Sequence, residues 1–281
     1  MSVTAIWWVL HCLALSWEKK LRQREFTKER EQRYLIRRSE LDESLEEVFD
    51  RQTLLTLYDM LNTGRLKRVM GVVSAGKESR VYHGLGGSGE ELAVKIYLIS
   101  SAEFRRNRLQ YVVNDPRFKA IPRDFRKFVH LWSEREFSNL VEAYESGVPV
   151  PKPYTQSKNI LVMEFLGENG VRYPLLQEEE FDLDELRSIY SQVVEALSKL
   201  YAGAGLVHGD LSQYNIMVGR GLKVYLIDLA QAVKTTHPMA EAYLRRGVET
   251  LGNFFRRAGL EIDVEKFLHG VRGGERDVGG A

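Results

Sequence analysis

The most informative part of the sequence is His208-Gly209-Asp210-Leu211-Ser212-Gln213-Tyr214-Asn215, followed by Ile227-Asp228-Leu229. Between them, apolar runs at 216–218 and 224–228 flank a glycine-containing turn, a pattern that predicts a β-hairpin. This hairpin would begin directly after Asn215 and end at Asp228. We therefore expect the polar side chains of Asp210, Asn215 and Asp228 to converge at one place.

These three side chains suit the transfer of a phosphoryl group. Asp210 and Asn215 have four residues between them, and a second carboxylate ends the hairpin, an arrangement typical of kinases. Asp210 would orient or deprotonate the attacking hydroxyl, while Asn215 and Asp228 offer the hard oxygen ligands that Mg²⁺ prefers. Taken alone, the same spacing is also typical of polar residues in turns, so it needs support from elsewhere in the chain.

That support comes from a lysine and a glutamate upstream. Lys95 ends Ala93-Val94-Lys95 in a predicted strand, and Glu136 lies in a predicted helix, matching the pair that kinases place over the phosphates. Glu134 is the competing choice for the partner of Lys95. Considered singly, Lys95 also fits a strand edge and Glu136 an exposed helix position. Their order and spacing favour the phosphate site.

A glycine-containing stretch precedes the lysine strand and nearly spells a Walker A loop. It reads Gly71-Val72-Val73-Ser74-Ala75-Gly76-Lys77-Glu78-Ser79. Glu78 stands where a Walker A loop has Ser or Thr, and Val81 lies in a predicted strand instead of a helix. We predict a hairpin that covers phosphate, in which Ser74, Ala75 and Gly76 let backbone amides approach and Lys77 adds positive charge. A solvated hairpin turn is the alternative.

The pattern along the 281-residue chain predicts an α+β protein with two lobes. Short apolar runs over 69–97 predict an antiparallel meander, and a strand is predicted near 160–163. Asp182 and Glu185 resemble a capping box that starts a long amphipathic helix, and helical spacing continues to residue 271. We expect a strand-rich lobe over about 69–165 and a helical lobe over about 166–271, with helices ahead of both.

Two further segments carry predictions of local structure. Leu54, Leu57, Tyr58 and Leu61 fall at helical spacing after Asp50, a plausible N-cap. Residues 1–49 comprise an apolar segment and a charged helical region, and 272–281 read as a flexible tail. The uncharged segment 1–17 only just reaches membrane-spanning length, so a membrane anchor is less expected than a packed amphipathic segment or a misplaced start codon.

The overall composition excludes several classes of function. With 44% hydrophobic and 28% charged residues the chain suits a soluble globular protein, and its net charge of +1 demands neither nucleic acid nor an anionic membrane. Cys12 is the only cysteine, which excludes an internal disulfide and a cysteine-built zinc site and fits a reducing cytosol.

Local charge is more informative at residues 98–130. The basic residues there are Arg105, Arg106, Arg108, Arg117, Lys119, Arg123, Arg126 and Lys127, against Glu103, Asp115 and Asp124. Eight minus three leaves a net charge of +5. Interleaved aromatics are Phe104, Tyr111, Phe118, Phe125 and Phe128. This segment could contact RNA through phosphates and base stacking, and a solvated mobile insertion is an equally good interpretation.

Taken in order, these motifs resemble the RIO atypical protein kinases, and particularly the archaeal branch without an N-terminal winged helix. The resemblance covers about residues 50–271. The motifs that carry it lie at 74–82, 93–97, 132–140, 148–154, 163–165, 208–216 and 227–233. It implies a two-lobed protein-kinase-like fold that binds ATP with Mg²⁺, or with Mn²⁺ in its place. The backbone of Glu164 and Leu166 would contact adenine, and Asp210 would be the proton acceptor.

The resemblance also implies a biological context. In this family the metal-binding aspartate, here Asp228, is thought to accept phosphate itself, so the protein would be a serine/threonine kinase, an ATPase switch or both. The family acts in maturation of the small ribosomal subunit, which implies precursor RNA and proteins as partners and a cytoplasmic location. A nucleotide-gated scaffold with little turnover is the alternative, and a P-loop NTPase is disfavoured by Glu78.

Some residues depart from the pattern of ordinary kinases. Leu229-Ala230 replaces Phe-Gly after Asp228, no Ala-Pro-Glu follows, and the space before Pro238 is too short for a peptide-docking activation loop. Broad peptide specificity is therefore not expected.

Overall fold

The computed structural model describes residues 49–99, 102–113, 115–118 and 120–273, which form a strand-rich and a helical lobe. The helices are α1 (Arg51–Asn62), α2 (Ala102–Val112), α3 (Phe125–Glu145), α4 (Leu183–Ser198), α5 (Ala240–Arg257) and α6 (Val264–Val271). The strands are β1 (Arg68–Ala75), β2 (Ser79–Leu85), β3 (Glu91–Tyr97), β4 (Pro153–Ser157), β5 (Ile160–Glu164), β6 (Gly167–Glu168), β7 (Val171–Arg172), β8 (Leu206–Val207), β9 (Ile216–Val218), β10 (Val224–Leu226) and β11 (Val233–Lys234). The predicted apolar segment 1–17 and most of the tail lie outside the described residues.

The strand-rich lobe is a five-stranded antiparallel sheet in the order β1-β2-β3-β5-β4. The continuous register between β2 and β3 places Val81 opposite Lys95. Gly76 N donates to Ser79 O at 2.9 Å and closes the turn between β1 and β2. The glycine-containing loop is therefore followed by a strand, which confirms the predicted hairpin and contradicts a Walker A loop.

Helix α1 packs on the sheet and begins where the sequence indicated. The Asp50 carboxylate accepts from Gln52 N at 3.0 Å, as an N-cap does. The buried residues of the helix are Thr53, Thr56, Leu57 and Met60. Of the residues at helical spacing, Leu57 is buried, whereas Tyr58 is 55% exposed. Two threonines are buried on this helix, and the Thr53 hydroxyl accepts from Asn159 Nδ2 at 3.0 Å.

Helices α2 and α3 connect the two lobes, and the aromatic residues around α2 belong to the core. Phe104 packs edge-to-face on Phe128 at 6.3 Å and on Trp132 at 6.0 Å between ring centroids. Phe104, Tyr111 and Phe128 are buried. The expectation that these three rings stack on RNA bases is therefore wrong, because each ring is enclosed in the hydrophobic core. Lys119 lies outside the described residues.

The helical lobe is built on α4, which α6 packs against, with α5 beside α6. The capping box predicted for α4 is confirmed: Glu185 N donates to Asp182 Oδ1 and Asp182 N donates to Glu185 Oε2, both at 2.9 Å. The predicted hairpin is also confirmed, since β9 pairs with β10 antiparallel. A second antiparallel pair, β8 with β11, was not predicted from the sequence. Together these pairs carry the loops with the candidate polar residues.

Among the described residues, no helix is both long enough and apolar enough to cross a lipid bilayer.

Candidate active site

Lys95 joins two acidic side chains from different parts of the chain. Its Nζ lies 2.8 Å from Glu136 Oε1 and 3.0 Å from Asp228 Oδ1. Lys95 projects from β3 and Glu136 from the buried face of α3, whereas Glu134 is exposed. The structure thus selects Glu136 over Glu134 as the partner of Lys95.

Burial and charge act in opposite directions on this cluster. Burial disfavours the Lys95 ammonium, but the carboxylates of Asp228 and Glu136 outweigh it and hold the pKa of Lys95 well above its ordinary value. Burial, aided by the charge of Asp228, raises the pKa of Glu136 against the effect of Lys95. The Tyr97 hydroxyl donates to Glu136 Oε2, so both oxygens of that carboxylate are engaged. Lys95 is therefore held as a fixed positive charge.

Asp228 has a backbone conformation that is rare for a residue with a β-carbon. Its φ is 60° and its ψ is 61°, in the left-handed region. Its side chain is 45% exposed. Burial raises the pKa of its carboxyl, but the Lys95 ammonium outweighs burial and keeps the pKa below the ordinary value. The carboxylate is ionised at neutral pH, and a non-glycine residue kept in this conformation is typical of functional sites.

Helix α3 holds the turn that follows Asp228. Arg135 donates through both terminal nitrogens to the carbonyls of Ala230 and Ala232. Asn139 Nδ2 donates to Leu229 O at 2.8 Å. No role for Arg135 or Asn139 was predicted from the sequence. Both stand close to Glu136 on α3 at helical spacing, which is a signal that could have found them.

Arg135 is itself held by a residue of the basic segment. Its guanidinium is fully buried, and its Nε lies 3.4 Å from the Asp115 carboxylate. Burial lowers the pKa of Arg135 to about 10, so the side chain remains charged at neutral pH. Asp115 also pairs with Arg117 at 2.7 Å. The segment around Asp115 is therefore linked to the turn after Asp228.

Asp210 and Asn215 lie in the loop before β9, next to Asp228. Asn215 Nδ2 donates to Asp210 O at 2.7 Å, and Ile227 N donates to Asn215 O at 3.0 Å. These contacts bring the three predicted polar residues together. No hydrogen bond of the described residues engages Asn215 Oδ1 or Asp228 Oδ2. This oxygen donor set fits Mg²⁺.

The hairpin tip and the segment between the lobes hold the other predicted residues. Ser74, Ala75, Gly76 and Lys77 are exposed at the tip. Glu78 instead pairs with Arg108 of α2, at 2.5 Å. The Glu78 carboxylate is therefore bound to a helix that follows β3 in the chain.

Glu164 ends β5, and Leu166 follows it in the connection between the two lobes. Glu164 Oε2 accepts from Lys152 N at 3.0 Å, which ties this side chain to the neighbouring chain segment. Leu166 is buried, and its carbonyl accepts from Tyr173 N at 2.9 Å.

These features define the class of protein: a two-lobed protein-kinase-like fold with a lysine, a glutamate and two aspartates at its centre. The solved Rio2 kinase structure from Chaetomium thermophilum, in a complex described as ADP/Mg²⁺-phosphoaspartate, matches with a TM-score of 0.58 at 22% identity. That match covers 77% of this chain and 65% of that chain. It supports the fold.

A family model described as the RIO domain matches residues 80–267. The RIO-type serine/threonine-protein kinase Rio1 of Haloferax volcanii is 40% identical over 232 residues, which are 83% of this chain and 78% of that protein. Human serine/threonine-protein kinase RIO3 is 35% identical over 254 residues. The alignment covers 86% of this chain but only 48% of RIO3, about half of its length. The chain belongs to the RIO family of serine/threonine-protein kinases, and its similarity to archaeal Rio1 supports that branch.

Proposed function

We propose that the protein transfers the γ-phosphoryl group of ATP in a Mg²⁺-dependent reaction. The observation that carries this proposal is the position of Lys95, whose ammonium lies between Glu136 and Asp228. A fixed cation beside an ionised aspartate is the arrangement by which kinases position phosphates and their metal ion. Membership of a family of named kinases supports the same activity.

The nucleotide would lie between the two lobes. Its adenine would contact the backbone of Glu164 and Leu166, and Val81 would cover it from β2. The tip residues 74–78 would cover the phosphates, with Lys95 as their main positive partner. Asn215 and Asp228 would hold Mg²⁺, or Mn²⁺ in its place, which supplies neutralising charge to the phosphate oxygens when bound.

We further propose that Asp228 is the first acceptor of the phosphoryl group. A Rio2 structure is described as a phosphoaspartate complex, which supports this chemistry by similarity of fold. An Asp228 oxygen would form a bond to the γ-phosphorus, the bond to the β–γ bridging oxygen would break, and ADP would leave. A hydroxyl or water would then attack the acyl phosphate, its proton would pass to Asp210, and the electron pair of the broken bond would return to Asp228.

The biological role we propose is maturation of the small ribosomal subunit in the cytoplasm, with precursor RNA and proteins as partners. The resemblance to the RIO family supports it. The exposed arginines of residues 98–130 offer phosphate contacts, for example Arg106, whereas Phe104, Tyr111 and Phe128 of that segment are buried.

A single-turnover assay with γ-labelled ATP and Mg²⁺ tests the activity. We expect label on the wild-type chain that hydroxylamine releases, as it does from an acyl phosphate, and no such label on Asp228→Asn. Asp210→Ala should slow phosphate release by roughly 10²- to 10⁴-fold, the range for loss of a general base. If the wild type turns over no nucleotide, alone or with small-subunit precursors, the chain is a nucleotide-binding scaffold and the proposal is wrong.

A further inference from the structure

Gln231 follows Asp228 closely in the chain, yet its side chain contacts the other candidate aspartate. Gln231 Nε2 donates to Asp210 Oδ2 at 3.0 Å. Gln231 is only 9% exposed, whereas Asp210 is exposed. Among the hydrogen bonds of the described residues, Gln231 is the sole donor to the Asp210 carboxylate. One carboxylate oxygen is thus fixed from the protein side, and no residue in the described part of the chain donates to Oδ1.

The backbone around Gln231 makes this contact rigid. Gln231 ends a short 3₁₀ turn, Leu229–Gln231, in which the carbonyls of Leu229 and Ala230 accept hydrogen bonds from α3. Gly209 has a φ of 78°, and a β-carbon there would overlap the Gln231 carbonyl oxygen. On its other side, Arg246 Nη2 donates to Gly209 O at 2.7 Å. The loop that carries Asp210 and the turn that follows Asp228 are therefore packed directly against each other.

We propose that Gln231 is a positioning residue that orients the Asp210 carboxylate, so that Oδ1 meets the attacking hydroxyl or water. This inference rests on the proposed function and deepens it. In the second step, the nucleophile oxygen bonds to phosphorus, the bond from phosphorus to Asp228 breaks with its electron pair on Asp228, and the proton passes to Asp210. In the first step a carboxylate attacks and no proton moves. Gln231 should therefore matter for the second step alone.

The test is the substitution Gln231→Met, which keeps the length of the side chain but removes the donor. The full chain is given γ-labelled ATP and Mg²⁺ in a single turnover, and label on the protein and released phosphate are followed separately. ATP affinity is measured with a fluorescent ATP analogue, and thermal unfolding is recorded. We expect phosphate release to slow by about 10²-fold, the effect of a misplaced catalytic group. Label formation and nucleotide affinity should stay within about twofold, so that labelled protein accumulates.

Two further variants sharpen the result. Gln231→Glu keeps the shape but sets a second carboxylate against Asp210, and should slow release at least as much. Gln192→Met is the matched control. Gln192 donates to Leu222 O at 2.9 Å and accepts from Val224 N at 3.2 Å, in the helical lobe. Its loss removes an amide of the same kind without touching Asp210, so both steps should match the wild type.

Each other outcome overturns the inference. Wild-type phosphate release by Gln231→Met would show that Asp210 needs no such donor. An equal fall in labelling and release, together with a lower unfolding temperature, would show a purely structural role. The proposed function is tested by the wild-type chain and not by the variants. If the wild-type chain neither acquires label nor releases phosphate, both proposals are wrong.

Discussion

Arg135, although its guanidinium is completely buried, donates to the backbone carbonyl of Ala230, in the turn directly after Asp228. A buried charge without partners would be very unfavourable, and here carbonyl oxygens and the nearby Asp115 carboxylate satisfy it. The helix that supplies Glu136 to Lys95 therefore also fixes the turn after Asp228. Both ends of the Lys95 ion-pair cluster depend on one helix.

The first prediction follows from this contact. Arg135→Met should lower the free energy of unfolding by roughly 1–3 kcal/mol, because it leaves the buried Ala230 carbonyl without its side-chain donor. Asp115 keeps its ion pair with Arg117, so no buried charge is left unpaired. Urea denaturation measures the change. Arg187→Met is the control, since the Arg187 side chain is 65% exposed and pairs with Asp184 in solvent, so stability should hardly change. Equal effects of the two variants would contradict the role given to Arg135.

The second prediction separates the two candidate phosphate lysines. Lys95→Met should slow phosphoryl transfer by at least about 10²-fold, since it removes a preorganised charge, and Lys77→Met by only a few-fold because Lys77 is exposed at the hairpin tip. Single-turnover rates with γ-labelled ATP provide the comparison. A larger loss with Lys77→Met would favour a P-loop mechanism.

The third prediction concerns pH. Burial lowers the pKa of His208, whose Nε2 lies 3.0 Å from Ile227 O and donates to it in the neutral form. Below about pH 6.5, the ordinary histidine value, the unfolded chain takes up a proton that the folded chain resists. The contribution of the neutral His208 to the free energy of unfolding is therefore fully present above that pH. It is lost as the pH falls towards the lowered pKa of the folded state.

His208→Gln, which keeps a donor for Ile227, should reduce this slope in urea denaturation between about pH 5 and 7. Burial also lowers the pKa of His130, so some slope should remain. The exposed His269 gives the control His269→Gln, for which no such change is expected. An unchanged slope in His208→Gln would rule out the buried histidine as its source.

The fourth prediction compares two glycines with positive φ. At Gly221 the φ is 64° and an added β-carbon would contact nothing. Gly221→Ala should therefore lower the free energy of unfolding by about 1–2 kcal/mol, from the left-handed conformation alone. Gly209→Ala has that cost and also an overlap with the Gln231 carbonyl, so it should destabilise more and impair phosphate release. Urea denaturation measures the stability of the two variants, and the turnover assay measures their phosphate release. Equal stability losses would mean that the two loops can separate without penalty.

Local structure could be predicted from the sequence because its causes lie within a few residues. The Asp182–Glu185 capping box, the β9–β10 hairpin and the strand after the glycine-containing loop were all predicted and are present. The pairing of Lys95 with Glu136 was also anticipated, though through resemblance of motif order and not from periodicity. The catalytic and metal-binding roles of these residues remain proposals.

Burial within amphipathic segments could not be predicted as well. Tyr58 has the right spacing for the inner face of α1 but is exposed, and Phe104 appears in a basic segment but is buried. Helical spacing defines a face of a helix, whereas the neighbouring sheet or helix decides how far that face is turned inward.

The order of the motifs, the types of the site residues and the positions of several helices and strands follow from the sequence alone, because these depend on side-chain chemistry and short-range hydrogen bonds. Only the tertiary structure decided that Arg135 holds the turn after Asp228 and that Gln231 holds Asp210. The first contact joins residues 95 positions apart and the second joins residues 21 positions apart. Such contacts form only when parts of the chain that are distant in sequence pack together. A buried arginine or amide is then stable only where carbonyl or carboxylate oxygens accept its hydrogen bonds.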